Sequence, residues 1–219
     1  MFKRVLTVGI AMAAAVTVTA AQSGAQGAAQ TAPAQPATQA PPSRPASPAS
    51  ASQTQIGSGA TGKWIEITYG RPIKRGRDVF GSGPAYAQLL LANGAKVWRA
   101  GANMSTRLKT ELPLQIGGKA VPVGEYSLFI DTKSPTDWTL IVSSWAARTG
   151  GGDKTPDTLW GSFNYTPDKD VARVAMKMDT APLSIDQLTW NFADVTPLGG
   201  KLVLTWDTVV ASAPFTIAK

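Results

Sequence analysis

The sequence contains no cysteine and no histidine among its 219 residues. Without histidine there is no Ser-His-Asp unit and no Cys-His unit. Without either residue an ordinary zinc site has no ligands. No thiol is available for a disulfide or for lipid attachment at an N-terminal cysteine, so the fold must be held by packing alone. Long apolar runs are also missing. The longest uncharged apolar stretch, Val5 to Ala20, is short for a membrane span, which needs ~20 residues.

What is present divides the chain into three zones. Lys3 and Arg4 precede the apolar run, and the small residues Ala20 and Ala21 follow it. That layout predicts a secretory signal peptide over residues 1–21. The mature protein is therefore expected in the periplasm or outside the cell, with no transmembrane span. Residues 22–58 are almost entirely Ala, Pro, Gln, Ser and Thr, with no aromatic residue and one charge, Arg44. Such a segment cannot bury enough apolar surface to offset its ordering entropy, and reads as a disordered tether. Residues 59–219 hold all seven tryptophans and are long enough for one domain with one core.

Period-two alternation dominates that domain. Ile65, Ile67 and Tyr69 share one side of WIEITY, and Tyr126, Leu128 and Ile130 share one side of EYSLFID. Trp138, Leu140 and Val142 alternate likewise, as do Val174, Met176 and Met178. Leu188, Trp190 and Phe192 form another such series, and Leu202, Leu204 and Trp206 a last one. Glycine and proline pairs punctuate these runs, at Gly117-Gly118, Ser134-Pro135 and Gly199-Gly200. Short alternating strands at this spacing predict an antiparallel all-β sandwich or barrel-like domain. PAYAQLLLANG, residues 84–94, breaks the alternation and predicts one short helix, with proline in the first turn and Asn-Gly at the end.

Two phosphate or metal motifs fail on context. GSGATGK, Gly57 to Lys63, resembles a glycine-rich phosphate loop. Such a loop needs a strand before and a helix after, whereas here a tether precedes and a strand follows. Pro167 to Asp170 offers two carboxylates but lacks the glycine and distal glutamate of a calcium loop, so a plain turn is expected. No cofactor and no metal are expected. A pair of carboxylates could still cleave a glycoside, with Glu66, Glu111, Glu125, Asp131 and Asp207 as candidates.

Charge is distributed unevenly. The formal net charge is +7. Residues 71–109 hold eight basic residues against the single acid Asp78, which predicts a positive face. Export and the modest charge of the domain argue against nucleic acid as the partner. Within the basic stretch, YGRPIKRGRDVFG and KVWRAGAN combine arginine forks, which suit carboxylate or phosphate oxygens, with a tryptophan face and turn-forming glycines. The candidate binding residues are Arg71, Arg75, Arg77, Trp98, Arg99 and Asn103. The structural alternative leaves Arg75 and Arg77 solvated, pairs Arg99 with Glu66 or Glu111, and buries Trp98.

The same residues carry a family resemblance. Tyr-x-Arg-Pro, Arg-Gly-Arg, Phe-Gly and Val-Trp-Arg-x-Gly-Ala-Asn, in this order, resemble the bacterial domain-of-unknown-function family numbered 2911. The match continues through GGKAVPVGEYSLF, DWTLIVS, WGSFNY, DVARV and LVLTWD. The resemblance implies an exported β-rich domain and brings no activity with it. It adds Pro72, Gly76, Gly101 and Ala102 to the positions of interest. One departure is the loop after Asn103, which reads Met104-Ser105-Thr106 where the family often carries an acidic residue. The expectation is thus a non-enzymatic binding or scaffold module for an anionic partner, such as an acidic glycan, an envelope phosphate or an acidic protein surface. A metal-independent glycan hydrolase and a purely structural domain are the alternatives.

Overall fold

The computed structural model describes residues 47–218, all within one compact unit. The expected signal peptide and residues 22–46 of the expected tether lie outside the described residues. Antiparallel strands form at every alternating series but one: the series Val174, Met176, Met178 is broken at Met176, where the chain leaves one sheet and enters the other. The first sheet has six: β1 (Ala49–Ile56), β2 (Lys63–Gly70), β3 (Thr106–Thr110), β6 (Gly124–Ser134), β7 (Asp137–Ser143) and β10 (Asp170–Ala175), in that spatial order. The second has four: β11 (Lys177–Thr196), β12 (Gly199–Ile217), β4 (Leu114–Ile116) and β5 (Lys119–Val121). A two-residue parallel pair, β8 (Ala146–Ala147) with β9 (Thr158–Leu159), staples an excursion between β7 and β10. No helix among the described residues is long and apolar enough to cross a membrane.

The inner faces of the two sheets make one core. Ile65, Ile67, Leu108, Leu128, Ile130, Leu140 and Val142 meet Leu188, Trp190, Leu202, Leu204 and Phe215, all fully or nearly fully buried. Burying each such side chain contributes roughly 1.5–3 kcal/mol, which is how a chain without disulfides stays folded. Phe129 and Ile141 point the other way from their neighbours, yet both are fully buried. Leu159 and Tyr165 of the excursion cover them together with Val97 from the segment before β3, so the first sheet is packed on both faces there.

Three sequence expectations are corrected. Residues 49–56, assigned to the tether on composition, are β1. Every one of them is paired in register with β2, Ser52 donates to the carbonyl of Trp190, and Ile56 packs on the core. The ladder supplies what the small polar side chains do not. GSGATGK is accordingly neither a phosphate loop nor a tether end, but the connection from β1 to β2, with a 3-10 turn at Gly59–Thr61. Residues 84–94 are not an α-helix. Two 3-10 turns, Gly83–Ala85 and Ala92–Gly94, flank a run of turns. Ala87 sits at φ 58 and its N–H bonds back to the carbonyl of Phe80, which stops helical propagation. Leu90 is buried there, while Leu89 remains exposed. Pro167–Lys169 is a short 3-10 turn before β10, as the spacing predicts.

Candidate functional site

The two basic motifs do meet, and glycine is the reason. Gly70 ends β2 and packs backbone to backbone against the loop after Trp98. Its carbonyl accepts the Ala102 N–H at 3.1 Å. A Cβ on Gly70 would fall 1.8 Å from the Ala102 oxygen. Gly101 is equally confined, since a Cβ there would lie 2.9 Å from the Gly70 oxygen. The Ala100 carbonyl receives Trp190 Nε1 at 2.9 Å and Thr106 Oγ1 at 3.1 Å. Arg-Ala-Gly-Ala-Asn is therefore a tight loop clamped between the two sheets.

Beyond Gly70 the chain crosses to the second sheet. Ile73 bridges to Gln187, and the Leu188 N–H bonds to the Pro72 carbonyl. Several of the eight basic residues are used in this docking. Arg71 donates to the Leu188 carbonyl at 3.0 Å and to Thr189 Oγ1 at 2.9 Å. Lys74 pairs with Asp207 on β12. Burial pushes the Asp207 carboxyl up. The bonds from Lys74 and Ser184 and the Lys74 charge outweigh that and leave its pKa below the ordinary value. Arg75 takes φ 51 and gives its backbone N–H to Asp186. Arg107 pairs with Glu125.

Arg77, Lys96, Arg99 and Lys109 remain, and of these Arg77 and Arg99 converge. Both line a hollow of about 230 Å³ with Pro72, Asn103 and Ser47. Arg77 is exposed, and its guanidinium donates to the carbonyls of Ile73 and Lys74. Arg99 is half-buried and bonds through Nη1 to the Asn103 carbonyl at 2.7 Å. Asn103 stands at φ 62, and its amide holds the Ser47 carbonyl. Gly161, at φ 63, provides the seat for Arg99, because a Cβ there would lie 2.5 Å from the guanidinium carbon. Arg99 has no carboxylate partner among the described residues, so it pairs with neither Glu66 nor Glu111. Residues 1–46 contain no Asp or Glu that could supply one. Burial lowers its pKa from the ordinary arginine value.

Trp98 borders the same hollow but is only 2 % exposed. It belongs to an aromatic cluster, stacked on Trp206 with centroids 6.2 Å apart and edge-on to Trp138 at 5.9 Å. Phe80 closes this cluster against Trp138 and Trp206. Of the six candidate residues, then, Arg77, Arg99 and Asn103 surround the hollow. Trp98 supports it from the core, Arg71 is spent on β11, and Arg75 stands outside it.

A second hollow, of about 240 Å³, holds Glu66, Glu111 and Trp64. Its carboxylates are already engaged. Glu111 accepts the Trp64 N–H at 2.9 Å and Glu66 accepts from Gln53. Asp131 pairs with Arg173, Glu125 with Arg107 and Asp207 with Lys74.

Sequence reasoning passed over Trp160, Gly161 and Phe163, which flank Arg99 on the far side. The signal was available in WGSFNY, where a glycine between aromatics interrupts any strand period. A family model described as "Protein of unknown function (DUF2911)" matches residues 47–215. No curated protein and no solved structure matches the chain.

Proposed function

The chain belongs to the DUF2911 family of proteins of unknown function, and we propose that it is an exported, non-enzymatic binding module whose Arg77–Arg99 hollow takes an anionic group. One observation carries the reading: a half-buried guanidinium with no carboxylate partner among the described residues, opening on a cavity. Taking a charge out of water without a counterion is costly, and folds rarely keep such a group unless something else uses it. The fork of Arg99 has donors left over after its bond to Asn103, and those donors suit carboxylate or phosphate oxygens. Export to the periplasm or beyond rests on Lys3, Arg4 and the apolar run after them.

Arg99→Ala tests the reading. The variant should keep its thermal midpoint within a few degrees and lose salt-sensitive retention on an anionic glycan resin. Arg77→Ala, at an exposed position, gives the same readout without risk to the fold. Wild-type retention by both folded variants would refute the proposal. The hydrolase alternative has one observation in its favour, the shared hollow of Glu66 and Glu111. It requires that the wild-type protein release reducing ends from envelope glycan and that Glu66→Gln or Glu111→Gln abolish the release.

A further inference from the structure

We propose that the Arg77–Arg99 hollow is one end of a longer groove whose occupant is an acidic carbohydrate chain. This rests on the anionic reading above and narrows it. Arg99 and Ala92 wall both that hollow and a neighbouring one of about 200 Å³, which adds Trp160 and Phe163. Asn93, Ala95 and Phe163 in turn wall a third hollow, of about 320 Å³, which adds Lys96, Ser162 and Asn164. One course therefore runs from Arg77 past Arg99 and Phe163 to Lys96, between the turns at 83–95 and 160–166.

The lining repeats three kinds of group along this course. Cations stand at Arg77, Arg99 and Lys96. Aromatic rings stand between them, with Phe163 60 % exposed and Trp160 half-buried. Neutral hydrogen-bonding groups stand at Asn93, Asn164 and Ser162. Ser162 is only 2 % exposed, and its Oγ has no partner among the described residues. A buried hydroxyl without a partner carries a desolvation penalty that a ligand hydroxyl or a bridging water would relieve. An acidic sugar chain presents the matching series: a charged group at intervals, apolar C–H faces for the rings, and hydroxyls for the amides.

Other occupants fit less well. A small inorganic anion would use Arg99 and leave the rest of the groove empty. An extended peptide bound by strand addition would need an open strand edge for its backbone, and the groove walls are turns. Residues 22–46 carry Arg44 and no acid, so their composition offers no anion for the site.

Titration calorimetry on the full chain discriminates these. The probes are an oligogalacturonate of about eight sugars, monomeric galacturonate, inorganic phosphate and a neutral glucan of the same length. The oligogalacturonate should bind about tenfold or more tighter than the monomer and than the neutral chain. Lys96→Ala, at an exposed position in the far hollow, should weaken the oligomer several-fold and leave the monomer unchanged, and Phe163→Ala should also weaken the oligomer several-fold. If monomer or phosphate binds as tightly as the oligomer and neither variant matters, the groove proposal fails while the anionic site stands. If the neutral chain binds equally well, the acidic class is wrong. If no anion binds and Arg99→Ala changes nothing, both readings fall.

Discussion

Gly70→Ala should unlock the two basic motifs from each other. The Cβ would enter a space only 1.8 Å from the Ala102 oxygen, a backbone atom that no side-chain rotation can move. The end of β2 and the 99–103 loop would have to separate by more than an ångström. That breaks the Ala102–Gly70 hydrogen bond, worth about 1 kcal/mol, and forces an overpacking rearrangement worth roughly 1–3 kcal/mol. The total is about 3 kcal/mol. For a domain of this size it should lower the thermal midpoint by about 6–12 °C, read by far-UV circular dichroism. Gly76→Ala is the control. Gly76 has positive φ but nothing within 4 Å of the added carbon, so only the left-handed penalty of about 1 kcal/mol applies. If Gly70→Ala shifts the midpoint no more than Gly76→Ala does, the clamp between the motifs is not real.

Other perturbations probe the remaining parts. Gly161→Ala places a carbon against the Arg99 guanidinium; it should weaken anion retention as much as Arg99→Ala while costing only about 1–2 kcal/mol of stability, measured by urea unfolding. Trp206→Ala removes a ring stacked on Trp98 and should cost about 3–5 kcal/mol, with loss of near-UV dichroism. The Asp207 pKa is depressed in the folded state, so its contribution is present above the unfolded carboxylate value of about 3.9 and is lost as pH falls through the folded pKa. Asp207→Asn should therefore lose stability at neutral pH and show a flatter acid limb than wild type in a stability-versus-pH series. A chain beginning at Gly59 should unfold at lower temperature than one beginning at Ser47, because only the second retains β1.

The strands were legible because burial on one face imposes a period that composition cannot hide. Ile65, Ile67 and Tyr69 are all buried, as are Trp138, Leu140 and Val142. What escaped is whatever that logic does not govern. The β1 side chains are too small and polar to signal a strand, and its stability comes from a ladder that only the fold reveals. The 84–94 turns were masked by good helix formers, whose propensity yielded to the bond between Ala87 and Phe80. Within the site, residue types identified arginine as the chemistry but not which arginines were free. Arg71 and Lys74 look the same in sequence as Arg77 and Arg99, and only their partners on β11 and β12 separate them. Phe129 shows the opposite case, an apolar residue at a position the alternation assigns to solvent, whose cover arrives from 30 residues further along.

Trp98 and Trp206 border the arginine hollow while standing in the core. The layer directly beneath the hollow is thus a pair of stacked chromophores. Indole emission responds to the field and the solvent around it, and a guanidinium that gains an anion changes both. On the proposed function the natural chain would carry its own optical reporter of occupancy, placed where packing strain would also register. Quenching or a spectral shift on titration would then measure binding and core rearrangement in one trace, with no dye, tag or introduced thiol.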